Sequence, residues 1–164
     1  MILANITLGK DADVHESSSV NNVILGEQVK ISKHCSVFGS ATCILQIGSN
    51  TYVGPNSFIQ GYKANVTIGE RVSIAQNVNI MSNSGPNASP AMQKYFPIEI
   101  AEVIIENDCW IGANSIIMPG VMLGEFCVVA ANSFVNSSFE PFSVIGGNPA
   151  RLLRKLDESV IKKN

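Results

Sequence analysis

Residues 104–135 read IIENDCWIGANSIIMPGVMLGEFCVVAANSFV. From Ile105 an aliphatic side chain falls at every sixth position, through Ile111, Ile117, Leu123 and Val129 to Val135. Neither the helical period nor the two-residue alternation of a half-buried strand gives that spacing. Upstream the same step recurs in triplets: Leu8, Val14, Val20; Leu25, Ile31, Val37; Ile47, Val53, Ile59; Ile68, Ile74, Ile80. The residue after each marker is small at the first two positions of a triplet and usually larger at the third, as in Gly48, Gly54, Gln60 and Gly69, Ala75, Met81; His15 and Glu106 break the rule. Three hexads therefore make one unit. The shortening between Val20 and Leu25 and the insertions at 37–47, 59–68 and 80–105 all follow a third hexad, so every irregularity belongs to one corner.

A six-residue step with one inward aliphatic, taken three times per turn, predicts an all-β fold: a triangular prism of short parallel strands stacked coil upon coil. About six coils at the inter-strand spacing give a column of roughly 25–30 Å. Gly54-Pro55-Asn56 and Gly112-Ala113-Asn114 suit corners that need left-handed backbone angles. The expected parts are a β-helix over 1–148, with a long loop at 82–103 extruded after the fourth coil, and a capping helix over 149–164. For that helix Asn148-Pro149 reads as N-cap and first helical residue, and Leu152, Leu156 and Val160 share a face. The repeat alone does not fix the hand of the column.

With 11 Lys and Arg against 13 Asp and Glu, the 164 residues carry a net charge of −2, which gives no footprint for nucleic acid or an anionic membrane. The start MILANITLGKDADV lacks a charged n-region and an apolar core, and no apolar run is long enough to span a bilayer, so a soluble, cytoplasmic protein is expected. Cys35, Cys43, Cys109 and Cys127 show neither CxxC pairing nor a nearby His at ligand spacing, which argues for reduced thiols and against zinc or a disulfide framework.

Residues 104–135, followed by EPFSVIGGNPARLLRKL, resemble the C-terminal half of hexapeptide-repeat acetyltransferases of the sugar and maltose acetyltransferase kind. The resemblance implies a left-handed β-helix, a homotrimer, and acetyl-CoA lying in the groove between neighbouring subunits. It places Trp110 and Gly112 in the family's aromatic-Ile-Gly motif near the acyl end of the donor, and Ala113 where some relatives have serine. Ala131 matches a position whose backbone meets the pantetheine arm. Asn136 and Ser137 stand where threonine and lysine are frequent, and Arg151 and Arg154 match basic positions at the nucleotide end. Each has a plainer reading beside it: Trp110 as filler of a subunit seam, the arginines as solvated charges on a cap. The resemblance implies no metal and makes a small sugar the expected acceptor without identifying it.

The family pattern Ile-x-Ser-His, which supplies the general base, reads Ile80-Met81-Ser82-Asn83 here, and no histidine occurs from Met81 to Val103. An amide can orient an acceptor or hold an oxyanion, but it cannot take a proton near neutral pH. Asn83 and Ser84 are the catalytic candidates, set against a loop turn favoured by Asn-Ser-Gly-Pro. His15 and His34 sit on early coils, outside the motif. The long loop is expected to build the acceptor pocket, with Gln93, Lys94 and Tyr95 available to a sugar. Two functions remain open: O- or N-acetyltransfer to a sugar of surface-polysaccharide or nucleotide-sugar biosynthesis, or a non-catalytic relative that keeps the trimer and coenzyme A binding. Two scattered histidines exclude a three-histidine carbonic anhydrase site, and no Thr-x-Thr ladder supports ice binding.

Overall fold

The computed structural model describes residues 2–161, and all the marker triplets occupy three parallel walls. On the first wall Leu8, Leu25, Ile47, Ile68, Ile105 and Leu123 stand in register. The second wall stacks Val14, Ile31, Val53, Ile74, Ile111 and Val129, then continues to Ile145. The third stacks Val20, Val37, Ile59, Ile80, Ile117 and Val135. The first and third walls form one continuous sheet because Ser19–Leu25 bends from one to the other. The fold is the left-handed β-helix that the resemblance implies.

From Val20 onward the inward aliphatics are buried, so the core is a single file of stacked side chains. Leu8, on the first coil, is 48% exposed because only one neighbouring coil covers its wall. A second inward position, two residues before each marker, explains the three buried thiols. At the corner between the second and third walls Ser18, Cys35, Ser57 and Ser115 each donate to a carbonyl of a turn, Cys35 Sγ to Gly54 O at 3.2 Å and Ser57 Oγ to Ala75 O at 3.2 Å. Cys109 Sγ donates likewise to Gly124 O at 3.2 Å and Cys127 Sγ to Glu140 O at 3.3 Å. Cysteine here does the work of a buried serine, satisfying a turn carbonyl that no strand reaches. All four cysteines are free.

The corners are held by two columns of residues with left-handed backbone angles. Asp11, Gln28, Asn50, Arg71, Asp108, Phe126 and Phe142 line the corner between the first and second walls; His34, Asn56, Asn77, Asn114 and Asn132 line the corner between the second and third. Asparagine tolerates this conformation through short-range side-chain hydrogen bonding. In the second column Asn77 Nδ2 donates to Asn114 Oδ1, and Asn114 Nδ2 to Asn132 Oδ1, each at 3.1 Å.

The C-terminal segment departs from expectation: it is a strand, not a capping helix. Ser143–Gly147 extends the second wall, and Ala150–Lys155 folds back antiparallel on it, with Val144 opposite Arg154 and Gly146 opposite Arg151. The Asn148–Pro149 peptide is cis and lies in the turn between them, so Asn148 caps no helix. The last strand of a parallel wall presents unpaired N–H and C=O groups, and an added strand satisfies them where a helix across the column would not. Among the described residues of this segment, helical geometry is confined to one 3-10 turn at Glu158–Val160, capped by the Asp157 carboxylate accepting from Ser159 N–H, bonds that hold its pKa below the usual range. Residues 162–164 of the expected helix lie outside the described residues.

Candidate active site

The long insertion after Ile80 leaves the corner between the third and first walls as a hairpin arm. Asn83–Ser84 pairs antiparallel with Glu99–Ile100, Asn83 opposite Ile100 and Ser84 opposite Glu99. Its base is anchored to the coil below: Gln60 Nε2 donates to Asn83 O at 3.1 Å, and the buried Ser82 Oγ accepts from Ala64 N–H at 3.3 Å. Consecutive strand residues face opposite ways, and directly paired residues share a face. The two catalytic candidates, Asn83 and Ser84, therefore point to opposite sides of the arm.

On one side, Asn83 Oδ1 is enclosed and meets no hydrogen-bond donor. Buried acceptors are nearly always paired, so this oxygen stands out as an unsatisfied one within the protomer. On the other side, Ser84 and Glu99 line a groove of about 370 Å³ with Tyr95, Phe96, Pro97 and Met118. Sequence reading missed Glu99. Its signal was the alternation Ile98-Glu99-Ile100, which marks a strand that can pair with Asn83-Ser84. Gln93 is used internally, its Nε2 donating to Pro86 O at 3.1 Å, whereas Lys94 and Tyr95 are exposed near the tip of the arm.

The donor-side candidates gather on the second wall and its far corner. Trp110 stands outward and is 58% exposed. Above it in register come Val128, Val144 and Arg154, so Arg154 lies three strand spacings, roughly 14 Å, up the same outward column. Arg151 is exposed on the same strand, its guanidinium donating to Ala150 O. Gly112 is buried: a Cβ there would lie 2.6 Å from Ala131 N, so this glycine contributes room for the coil above rather than a surface. Ala113 and Ala131 are on the corner itself, one coil apart, joined by Asn132 N–H donating to Ala113 O. Among the described residues, neither alanine N–H has a hydrogen-bond partner. Two stacked free amide donors beside an outward tryptophan, with arginines above, fit an extended amide arm that ends in phosphates.

Asn136 belongs with neither alanine. It follows Val135 at the corner of the hairpin arm, one coil above Met118, whose N–H donates to Val135 O. The third wall thus separates Trp110, Ala113 and Ala131 from Asn83, Ser84, Glu99 and Asn136. Among the described residues no group of three His, Cys, Asp or Glu side chains is placed to hold a metal.

Residues 102–137 match the family described as the hexapeptide repeat of succinyl-transferase. The chain is 32% identical over 118 residues to a galactoside O-acetyltransferase of Escherichia coli, covering 68% of this chain and 57% of that one. It superposes on a hexapeptide-repeat-containing acetyltransferase from Vibrio cholerae with TM-score 0.66 at 29% identity, over 93% of this chain and 74% of that one. The chain is similar to acetyltransferases built on the hexapeptide repeat. A likeness of fold extends to AntD, an N-acyltransferase from Bacillus cereus solved with dTDP and 3-hydroxybutyryl-CoA: TM-score 0.81 at 23% identity, over 94% of this chain and 85% of that one. The chain spans about half the length of the galactoside O-acetyltransferase, and 32% of a chloramphenicol acetyltransferase from Agrobacterium fabrum to which it is 39% identical over 70 residues. No helix among the described residues is long and apolar enough to cross a membrane.

Proposed function

We propose that this hexapeptide-repeat protein transfers an acetyl group from acetyl-CoA to a sugar, at a site that two protomers of a homotrimer complete. The observation that carries the reading is the separation of two half-sites by the third wall: an amide-rich face with arginines on one side, a hydroxyl–carboxylate groove and an orphan carbonyl oxygen on the other. A closed threefold assembly sets one corner of each prism against a different corner of the next, which is how such halves meet. The donor supplies a thioester whose C–S bond breaks as a C–O or C–N bond to the acceptor forms, the acceptor's proton passing to the departing sulfur. Ala113 and Ala131 N–H hold the arm, Trp110 shields the acyl end from water, and Arg151 and Arg154 meet the phosphates.

On the acceptor side the half-buried Asn83 amide turns outward as the acceptor arrives, so that Oδ1 leaves its enclosed position, accepts a hydrogen bond from the attacking O–H or N–H and aims its lone pair. No histidine is present to take the proton. An amine needs that help less than a hydroxyl, since removing a general base costs roughly 10²–10⁴-fold when the attacking group must be deprotonated. Amino sugars are thus the favoured acceptors within the class.

The test is thiol release from acetyl-CoA with a panel of amino sugars and sugar alcohols, run in parallel on the Asn83→His variant, with coenzyme A binding followed by calorimetry. Release by the unaltered protein, faster with amines, is the expected result. The missing base favours a second reading, a non-catalytic trimer that still binds coenzyme A; activity in Asn83→His alone would establish it. Absence of coenzyme A binding would end both readings.

A further inference from the structure

Donor-side residues climb the second wall from Trp110 toward Arg154, which leaves the lower part of the same wall unassigned. Its outward column runs downward from Trp110 through Ser73 and Tyr52 to Lys30 and Asp13. Tyr52 is 43% exposed and lies two strand spacings, about 10 Å, below Trp110, with the small Ser73 making a dip between the two rings. Beside Tyr52 opens a groove of about 500 Å³ lined by Asp11, Gln28, Lys30, Asn50 and Thr51.

The corner column beside this groove changes character along its length. In its upper part the members pair with one another: Arg71 grips Asp108 at 2.8 and 2.9 Å, and Phe126 stacks on Phe142 with ring centres 5.0 Å apart. In its lower part Asp11, Gln28 and Asn50, on three successive coils, make no side-chain hydrogen bond, and Lys30 has no ion pair among the described residues. Left-handed backbone angles fix all three at regular spacing.

We propose that this groove is a binding site for the non-reacting part of a glycan chain, so that the acceptor is an oligosaccharide or polysaccharide rather than a free sugar. The assignment rests on the acetyltransfer reading, because the donor's place above Trp110 sends the acceptor downward. Neutral amides at one-coil intervals match the repeating hydroxyls of linked sugars. Tyr52 and Trp110 present two ring faces to which the apolar side of a pyranose can pack, with no larger side chain between them. One acid and one base in the lining give no field for a polyanion, and two isolated rings beside a polar lining are too little apolar surface for a protein partner.

The test measures binding of mono-, di-, tetra- and hexasaccharides of neutral, amino and acidic sugars to the full chain by calorimetry, without donor. Affinity should rise with length up to the tetrasaccharide for at least one sugar class. Tyr52→Ala should lower tetrasaccharide affinity about three- to tenfold, with Tyr52→Phe retaining it, and the loss should appear only with chains long enough to span two rings. Tyr62→Ala, at another exposed tyrosine, should keep the length dependence. Affinity independent of length, a Tyr52→Ala variant that binds every chain like the parent, or binding of no glycan at all overturns the proposal. So does a change of oligomeric mass in Tyr52→Ala, which would make this face an interface between copies. Retained coenzyme A binding and transfer to free monosaccharides without length dependence sinks this site alone; loss of coenzyme A binding sinks the acetyltransfer reading instead.

Discussion

Asn83 carries a carbonyl oxygen shut away from water with nothing to accept from, a state that costs about 1–3 kcal/mol in the free protein. Removing the group relieves that cost and removes the hydrogen bond proposed for the acceptor. Asn83→Ala is therefore expected to leave the unfolding midpoint unchanged or raised, while kcat/KM falls about tenfold, the equivalent of one hydrogen bond near 1.4 kcal/mol. Denaturation and thiol-release assays on the same preparation check the two halves; a destabilised variant with unaltered kcat/KM would mean that Asn83 only shapes the arm. The cysteines divide on similar grounds. Burial pushes the Cys35 thiol up, and the adjoining Cys127 thiol together with burial does the same to Cys109. The same contact holds the Cys127 thiol below its usual value, but its sulfur is buried, so access decides: a folded sample should react quickly with a disulfide reagent at Cys43 alone, the one thiol that is not buried, and at all four after unfolding.

Coils touch one another through glycine where backbones come closest. A Cβ on Gly48 would stand 2.6 Å from the Gly69 carbonyl carbon on the next coil, so Gly48→Ala should destabilise by about 1–3 kcal/mol, read as a lower denaturant midpoint at unchanged slope. A midpoint equal to the parent would show that neighbouring coils part easily. The marker triplets, their three walls and the single irregular corner were legible in the sequence because one aliphatic per hexad has only one way to be buried in a narrow column. The C-terminal strand was not: Leu152, Leu156 and Val160 fit a helical face, and nothing local announces that Val144 offers an open edge to Arg154. Trp110, Ala113 and Ala131 are singled out by their motif, and the structure has the first on the second wall and the two alanines at its far corner. Glu99 could not, since a cross-strand partner fifteen positions from Ser84 becomes a neighbour only when the arm folds back.

At the scale of the whole molecule, the third wall is a separator and, in the proposed trimer, the seam. Its outward column includes Phe58, 38% exposed, with the part-buried Ile116 and Phe134 in register above it, and Phe38 packs edge-on against Phe58 at 5.4 Å between ring centres. Such a face is suited to lie against another copy, which would bring the hairpin arm of one protomer to the Trp110 wall of its neighbour. Sedimentation should then give the mass of three 17.5 kDa chains. Shared sites make a sharper prediction. Asn83→Ala damages the acceptor half and Ala131→Trp blocks the donor half, so each homotrimer alone has impaired sites throughout. Unfolded together in equal amounts and refolded, random assembly gives about a quarter of the sites two intact halves, and thiol release should recover to about that fraction of the parent. If each protomer housed a whole site, mixing would restore nothing beyond the average of the two variants, because every chain would still carry its own defect.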